Sequence, residues 1–179
     1  MVDIALAVFL ALGLSQARPS DTRIHEEAAK WLSGPLSHIP EETKLRLVRL
    51  AHETPGGVRA LTNETFRGKL YLEVLLNSSQ EEEHPAGQPI AIDRMKVVGA
   101  LADSRLIPAL LDYAATLGDV PGIHGIKLLL IELPANSFIQ LYAPLNLING
   151  VRSGKVTRQA LLDGSVSYVN TEITRLRIP

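Results

Sequence analysis

Apolar residues recur through the middle of this chain in a 31-residue register, and no other feature of the sequence narrows the fold as much. Met95, Val98, Gly99 and Ala102 fall on one face of a helix, and Ile107, Leu110, Leu111, Ala114 and Leu117 on one face of the next. Adding 31 to each gives Ile126, Leu129, Leu130 and Leu133, then Phe138, Leu141, Tyr142, Leu145 and Ile148, all nine of them apolar. The breaks correspond too: Asp103-Ser104 faces Pro134-Ala135, with Asn136 placed to cap the helix that follows. A third copy recovers Ala160, Leu161, Val169, Ile173 and Leu176 but puts Thr157, Gly164 and Glu172 at core positions. In the other direction Glu64 and Arg67 stand where Met95 and Val98 should map. A hairpin of two short helices cannot bury its own apolar face, so stacking copies completes the core and spacing and face recur together.

Elsewhere, apolar residues also recur at helical spacing between Pro, Gly, Asn and Ser breaks. "SDTRIHEEAAKWLSG" opens on a Ser/Asp cap and stops at Gly34. "PEETKLRLVRLAHETPGG" sets Pro40, Glu41 and Glu42 where a helix start favours them, and Leu47, Leu50 and Ala51 share a face. "NETFRGKLYLEVLLNSS" carries Phe66, Leu70 and Val74 along one stripe. No run of strict apolar/polar alternation proposes a strand, and aromatic residues are only 4%. Residues 78–89, with acids, Pro and Gly but no period, read as a solvated loop between two halves. The expectation is a single all-α domain over 1–179, with about eight helices in stacked antiparallel hairpins. Either a solenoid or a closed helical bundle satisfies it.

The wording "ALADSRLIPALLDYA" resembles HEAT-like repeats, in which a first helix ends in Ala-Leu, an Asp-containing turn follows and the second helix opens on Ile-Pro-Ala-Leu-Leu. The residues that carry the resemblance are Ala100, Leu101, Asp103, Arg105, Ile107, Pro108, Ala109, Leu110 and Leu111, and it spans residues 93–148. It implies stacked helices that present a surface to another macromolecule.

Composition excludes several chemistries. The absence of cysteine removes disulfides, thiolate metal sites, iron–sulfur clusters and cysteine nucleophiles together. A formal net charge of −1 provides no global field for nucleic acid or acidic membrane. The run "IALAVFLALGL" at 4–14 is too short to span a bilayer, so no transmembrane span is expected. With "SQA" behind it, the segment 1–17 reads equally as a signal peptide or as a buried N-terminal helix. The "MVD" start, acidic and without Lys or Arg, tips the balance towards the cytoplasm; cleavage of 1–17 would make the protein secreted.

None of His25, His38, His52, His84 and His124 has the i, i+4 partner that places two metal ligands on one helix face. "TPGGVRAL" and "DGSVS" lack the Lys-Ser/Thr of a phosphate loop, and "DGSVSYV" lacks the closing glycine of a nucleophile elbow. The sequence therefore points away from an enzyme, with no cofactor and no metal ligand set. From Gly150 onward, Arg152, Lys155, Arg158, Arg175 and Arg177 outnumber Asp163 and Glu172. Segment 156–177 faintly resembles a helix-turn-helix, which would make these five cations nucleic-acid or partner contacts. The leading expectation is a non-catalytic α-helical interaction scaffold whose partner is a protein. A small helical nucleic-acid-binding regulator, or a helical enzyme or ligand-binding bundle, are the alternatives.

Overall fold

A computed structural model describes residues 19–77, 94–132 and 137–179 of the chain. The segments read above as a signal peptide or buried helix (1–17) and as a loop (78–89) lie outside the described residues. In order, the elements are α1 (Asp21–Trp31), α2 (Glu41–Glu53), β1 (Val58–Phe66), β2 (Lys69–Leu76), α3 (Arg94–Leu101), α4 (Ile107–Leu117), β3 (Ile123–Glu132), β4 (Ser137–Pro144), α5 (Leu145–Arg152), α6 (Arg158–Asp163), β5 (Val166–Val169) and β6 (Glu172–Ile173). The six strands form one sheet in sequence order. Every neighbouring pair is antiparallel except β2 and β3, which run parallel and are joined by the crossover that holds α3 and α4.

The all-α expectation, as solenoid or as bundle, is therefore wrong: the chain is a mixed α/β fold. The segment 58–76, read as a helix, is a hairpin. Arg67 and Gly68 both have positive φ, 51° and 72°, as a two-residue turn between twisted strands requires. Around that turn Leu70, Leu72, Val74 and Leu76 point one way and Lys69, Tyr71, Glu73 and Leu75 the other. Leucine at every second position is compatible with both periods, and three-residue coincidences such as Phe66, Leu70 and Val74 favoured the wrong one.

The 31-residue register also dissolves. Its first copy is one continuous helix: α3 runs through a π-helical segment, Ala102–Leu106, straight into α4. Pro108 stands inside this helix, where proline has no N–H to give and its ring crowds the carbonyl four residues back. Here the backbone widens just ahead of it. The N–H of Ile107 reaches the carbonyl of Ala102, five residues back, and the helix absorbs the proline without breaking. Ser104 Oγ helps by donating to Ala100 O (2.8 Å), so Asp103-Ser104 makes no turn. Six of the nine second-copy residues are in strands, Ile126, Leu129 and Leu130 in β3 and Phe138, Leu141 and Tyr142 in β4, while Leu133 and the break at 134–136 lie outside the described residues. A buried strand between a helix layer and its neighbours reads as a continuous apolar run, which periodicity does not distinguish from a buried helix.

α1 and α2 form where their caps and periods place them. Ser20 Oγ accepts from Arg23 N, and Leu47, Val48 and Ala51 are buried. The helices lie over one face of the sheet: α1 and α2 against β1, α4 against β3 and α2, α5 against β3 and β4, and α6 against β5. Under them sit Leu72, Val74 and Leu76 of β2, Ile126, Leu128 and Leu130 of β3, and Ile139, Leu141 and Ala143 of β4, all buried. The C-terminal segment seals the end of this layer. Leu176 is fully buried, Gln159 of α6 donates to Leu176 O and accepts from Ile178 N, and a Cβ on Gly99 of α3 would lie 2.1 Å from Arg177 O.

Candidate functional site on the open face of the sheet

Strand alternation sends every second side chain away from the helix layer, and among the described residues no helix covers that second face. The pairing register assembles it. Glu64 of β1 is opposite Tyr71, Tyr71 opposite Gly125, Glu73 opposite Lys127, and Lys127 opposite Tyr142. On β5, Val166 is opposite Tyr142 and Tyr168 opposite Gln140, and Tyr168 in turn faces Ile173 of β6.

At one end the face is aromatic. Phe66 stacks on Tyr142 with ring centroids 4.1 Å apart, Tyr71 meets Tyr142 edge-on at 5.7 Å, and Tyr168 meets it at 6.1 Å. Gly125 makes room for this cluster: a Cβ there would lie 2.4 Å from the Tyr71 ring and 2.4 Å from Ala143 O. The tyrosine ring lies over the bare glycine and shields its backbone, an arrangement that rescues a glycine in a strand. Arg67, in the β1–β2 turn, sits 5.0 Å from the Phe66 ring centroid as a cation over its face.

At the centre lies a charge cluster. Lys127 is only 5% exposed, and its ammonium donates to Glu64 Oε2 and to Glu73 Oε1 (2.6 Å). The Tyr142 hydroxyl donates to Glu64 Oε1 at 2.9 Å, and the Lys127 Nζ lies 5.3 Å from the Tyr142 ring centroid. Burial alone would pull the lysine pKa down, but the hydrogen bonds to Glu64 and Glu73 outweigh it and hold the ammonium well above the ordinary lysine range. Burial, then the hydrogen bond to Glu64, pushes the Tyr142 phenol up to about 12. A lysine held charged is neither nucleophile nor general base at neutral pH, and a phenol held neutral is only a donor. The arrangement fixes side chains; it does not activate them.

The other end is aliphatic, with Leu75 opposite Leu129, Leu129 opposite Gln140, and Ile131 opposite Phe138. The two large hydrophobic side chains that stand exposed among the described residues, Ile131 (37%) and Ile173 (72%), are both on this face.

The five cations singled out in the sequence lie elsewhere, and all are exposed. Arg152 ends α5 and donates to Asn149 Oδ1, Lys155 sits in the turn before α6, and Arg158 opens α6 in an ion pair with Asp103 at 2.8 Å. Arg175 and Arg177 flank buried Leu176 on the C-terminal segment, which Gln159 ties to α6. The helix-turn-helix expected over 156–177 is not formed, because its second helix is the β5–β6 hairpin with a turn at Asn170 (φ 58°). Among the described residues no group of three or more His, Asp and Glu could hold a metal ion. No helix of the described residues is long and apolar enough to cross a membrane.

Sequence reasoning missed Glu64, Glu73, Lys127 and Tyr142. One signal was present: Lys127 is a lone cation inside the run "GIKLLLIE", and a charge in a buried run demands counter-ions. Glu64 and Glu73, either side of an Arg-Gly turn, supply them once that stretch is read as a hairpin.

Comparison of the chain with protein-family models, with curated proteins and with solved structures finds no match.

Proposed function

We propose that the protein is a non-catalytic interaction module that buries the open face of its sheet against the same face of a second copy. The observation that carries this reading is the helix layer, which among the described residues lies on one side only and leaves a sheet face that holds both exposed isoleucines beside a packed aromatic cluster. Area supports it. At about 3.3 Å per residue and about 4.8 Å per strand the described strands present roughly 650 Å², near the ~800 Å² per partner of a standard interface. Charge supports it too. The Lys127–Glu64–Glu73 cluster carries one net negative charge, while Arg67 and Lys69 put two cations at the hairpin end of the same face. A two-fold axis passing between them brings each copy's cations over the other's cluster, as an isologous interface permits. The self-packed aromatic rings are already in place, so little side-chain freedom is lost on association.

Sedimentation of the purified chain tests the reading. The expected result is a dimer, and conversion to a folded monomer by Ile131→Glu with Ile173→Glu, two exposed positions whose change leaves the circular dichroism intact. A wild type still monomeric at about 100 μM, or a dimer indifferent to both changes, overturns it.

A further inference from the structure

A second site lies away from the open face, at the C-terminal end of β2, where the α2–β1 loop meets the π-helical segment. Thr54, Leu76, Ser104, Arg105, Pro108 and Asp112 help to line a cavity of about 120 Å³ there. Arg105 is placed by the widened backbone of Ala102–Leu106, the kind of helix irregularity that recurs at functional sites. Its Nη2 donates to Asn77 O at 3.0 Å, but its Nη1 is buried with no hydrogen-bond partner among the described residues. A buried guanidinium nitrogen without an acceptor is rare in a folded protein and calls for one. Gly56 leaves room for the guanidinium in this place: a Cβ there would lie 2.6 Å from Nη2.

We infer that this cavity binds a small monocarboxylate through Arg105. The guanidinium offers the parallel donors that a carboxylate accepts in pairs. At about 30 Å³ per water-sized group, the volume suits roughly four to five non-hydrogen atoms, the size of a short-chain acid. Leu76 and Pro108 provide apolar wall for its tail. Asp112 sets the charge: one guanidinium and one carboxylate in the lining leave no net positive charge, so a dianion such as phosphate or a dicarboxylate is disfavoured.

Titration of the isotopically labelled full chain with propionate, followed by amide chemical shifts, tests the site. Saturable shifts confined to residues 54–57, 76–77 and 104–112 are expected, with phosphate and succinate at least tenfold weaker. Arg105→Lys, which keeps the charge and loses the paired donors, should weaken propionate about tenfold. Asp112→Asn, a change of charge alone, should strengthen propionate and admit phosphate. Absence of saturable shifts overturns the inference, as does a phosphate preference in the wild type or an Asp112→Asn protein that binds no anion better.

Discussion

Lys127 illustrates how a single buried charge is tolerated. Two carboxylates and a phenol close around it, and neither carboxylate has another lysine or arginine in reach to replace it among the described residues. Lys127→Met leaves Glu64 and Glu73 facing each other and should cost about 3–5 kcal/mol in urea denaturation. Adding Glu64→Leu and Glu73→Leu to that variant should recover most of the loss, since a buried ionic cluster replaced whole by apolar side chains is often neutral in stability. The pH dependence has a definite sign. A lysine whose folded pKa lies above its unfolded value contributes fully at pH below the unfolded value, near 10.5, and loses that contribution as pH rises through the folded one. Tyr142, pushed up to about 12, behaves in the same sense. Alkaline melting should therefore be steeper for the wild type than for the triple variant, and equal slopes would show that the cluster does not hold the sheet.

Between elements, α1 and α2 are joined through Glu27, which accepts from Arg23 (2.9 Å) and from His52 (2.5 Å), while Trp31 stacks on the His52 ring. Burial raises the Glu27 pKa, but the hydrogen bonds from Arg23 and His52 outweigh it and bring it below the ordinary carboxylate value. Its contribution is thus present above the unfolded pKa, about 4.5, and is lost as pH falls through the folded value. Glu27→Gln should flatten the fall of Tm below pH 5. In the β1–β2 turn Arg67 holds a left-handed conformation that costs a side chain about 1–2 kcal/mol. Asn tolerates it better, so Arg67→Asn should raise stability by up to about 1 kcal/mol, while weakening the pairing of the open face in sedimentation. The legible and the hidden parts of the fold also divide at this scale. α1 carries a capping serine, α2 opens on Pro40 and two acids, and both have amphipathic faces with charged backs, so both were readable. β2 and β3 were not, because each has apolar side chains on both faces, so the period of two is masked by residues the open face needs. Asp103-Ser104 misled for the opposite reason: read as a break between helices, the pair lies inside one π turn of a continuous helix.

For the whole molecule, the same hidden period explains why the candidate site was invisible. A face built from β1, β2, β3, β4 and β5 comes together only through strand register, which sets Lys127 of β3 beside Glu64 and Glu73 of a hairpin more than 50 residues earlier. The exposed cations of the C-terminal third, conspicuous in the sequence, are spread over α5, a turn, α6 and the tail. The parallel β2–β3 pair has a consequence of its own, for the order in which the chain folds. The β1–β2 and β3–β4 hairpins join strands close in sequence and form early as local units, on the order of microseconds for an isolated hairpin. The ladder between them waits on a crossover that runs from Asn77 to Gly122 and carries α3 and α4. Closing so long a loop before its contacts repay the lost entropy is the slow part of such topologies. Substitutions in the Leu72/Ile126 and Val74/Leu128 layer should therefore slow folding, whereas those in β5–β6 should chiefly speed unfolding. During that wait the two hairpins exist with their aromatic and aliphatic faces bare, and what shields them in the cell bears on yield as much as any stability of the finished sheet.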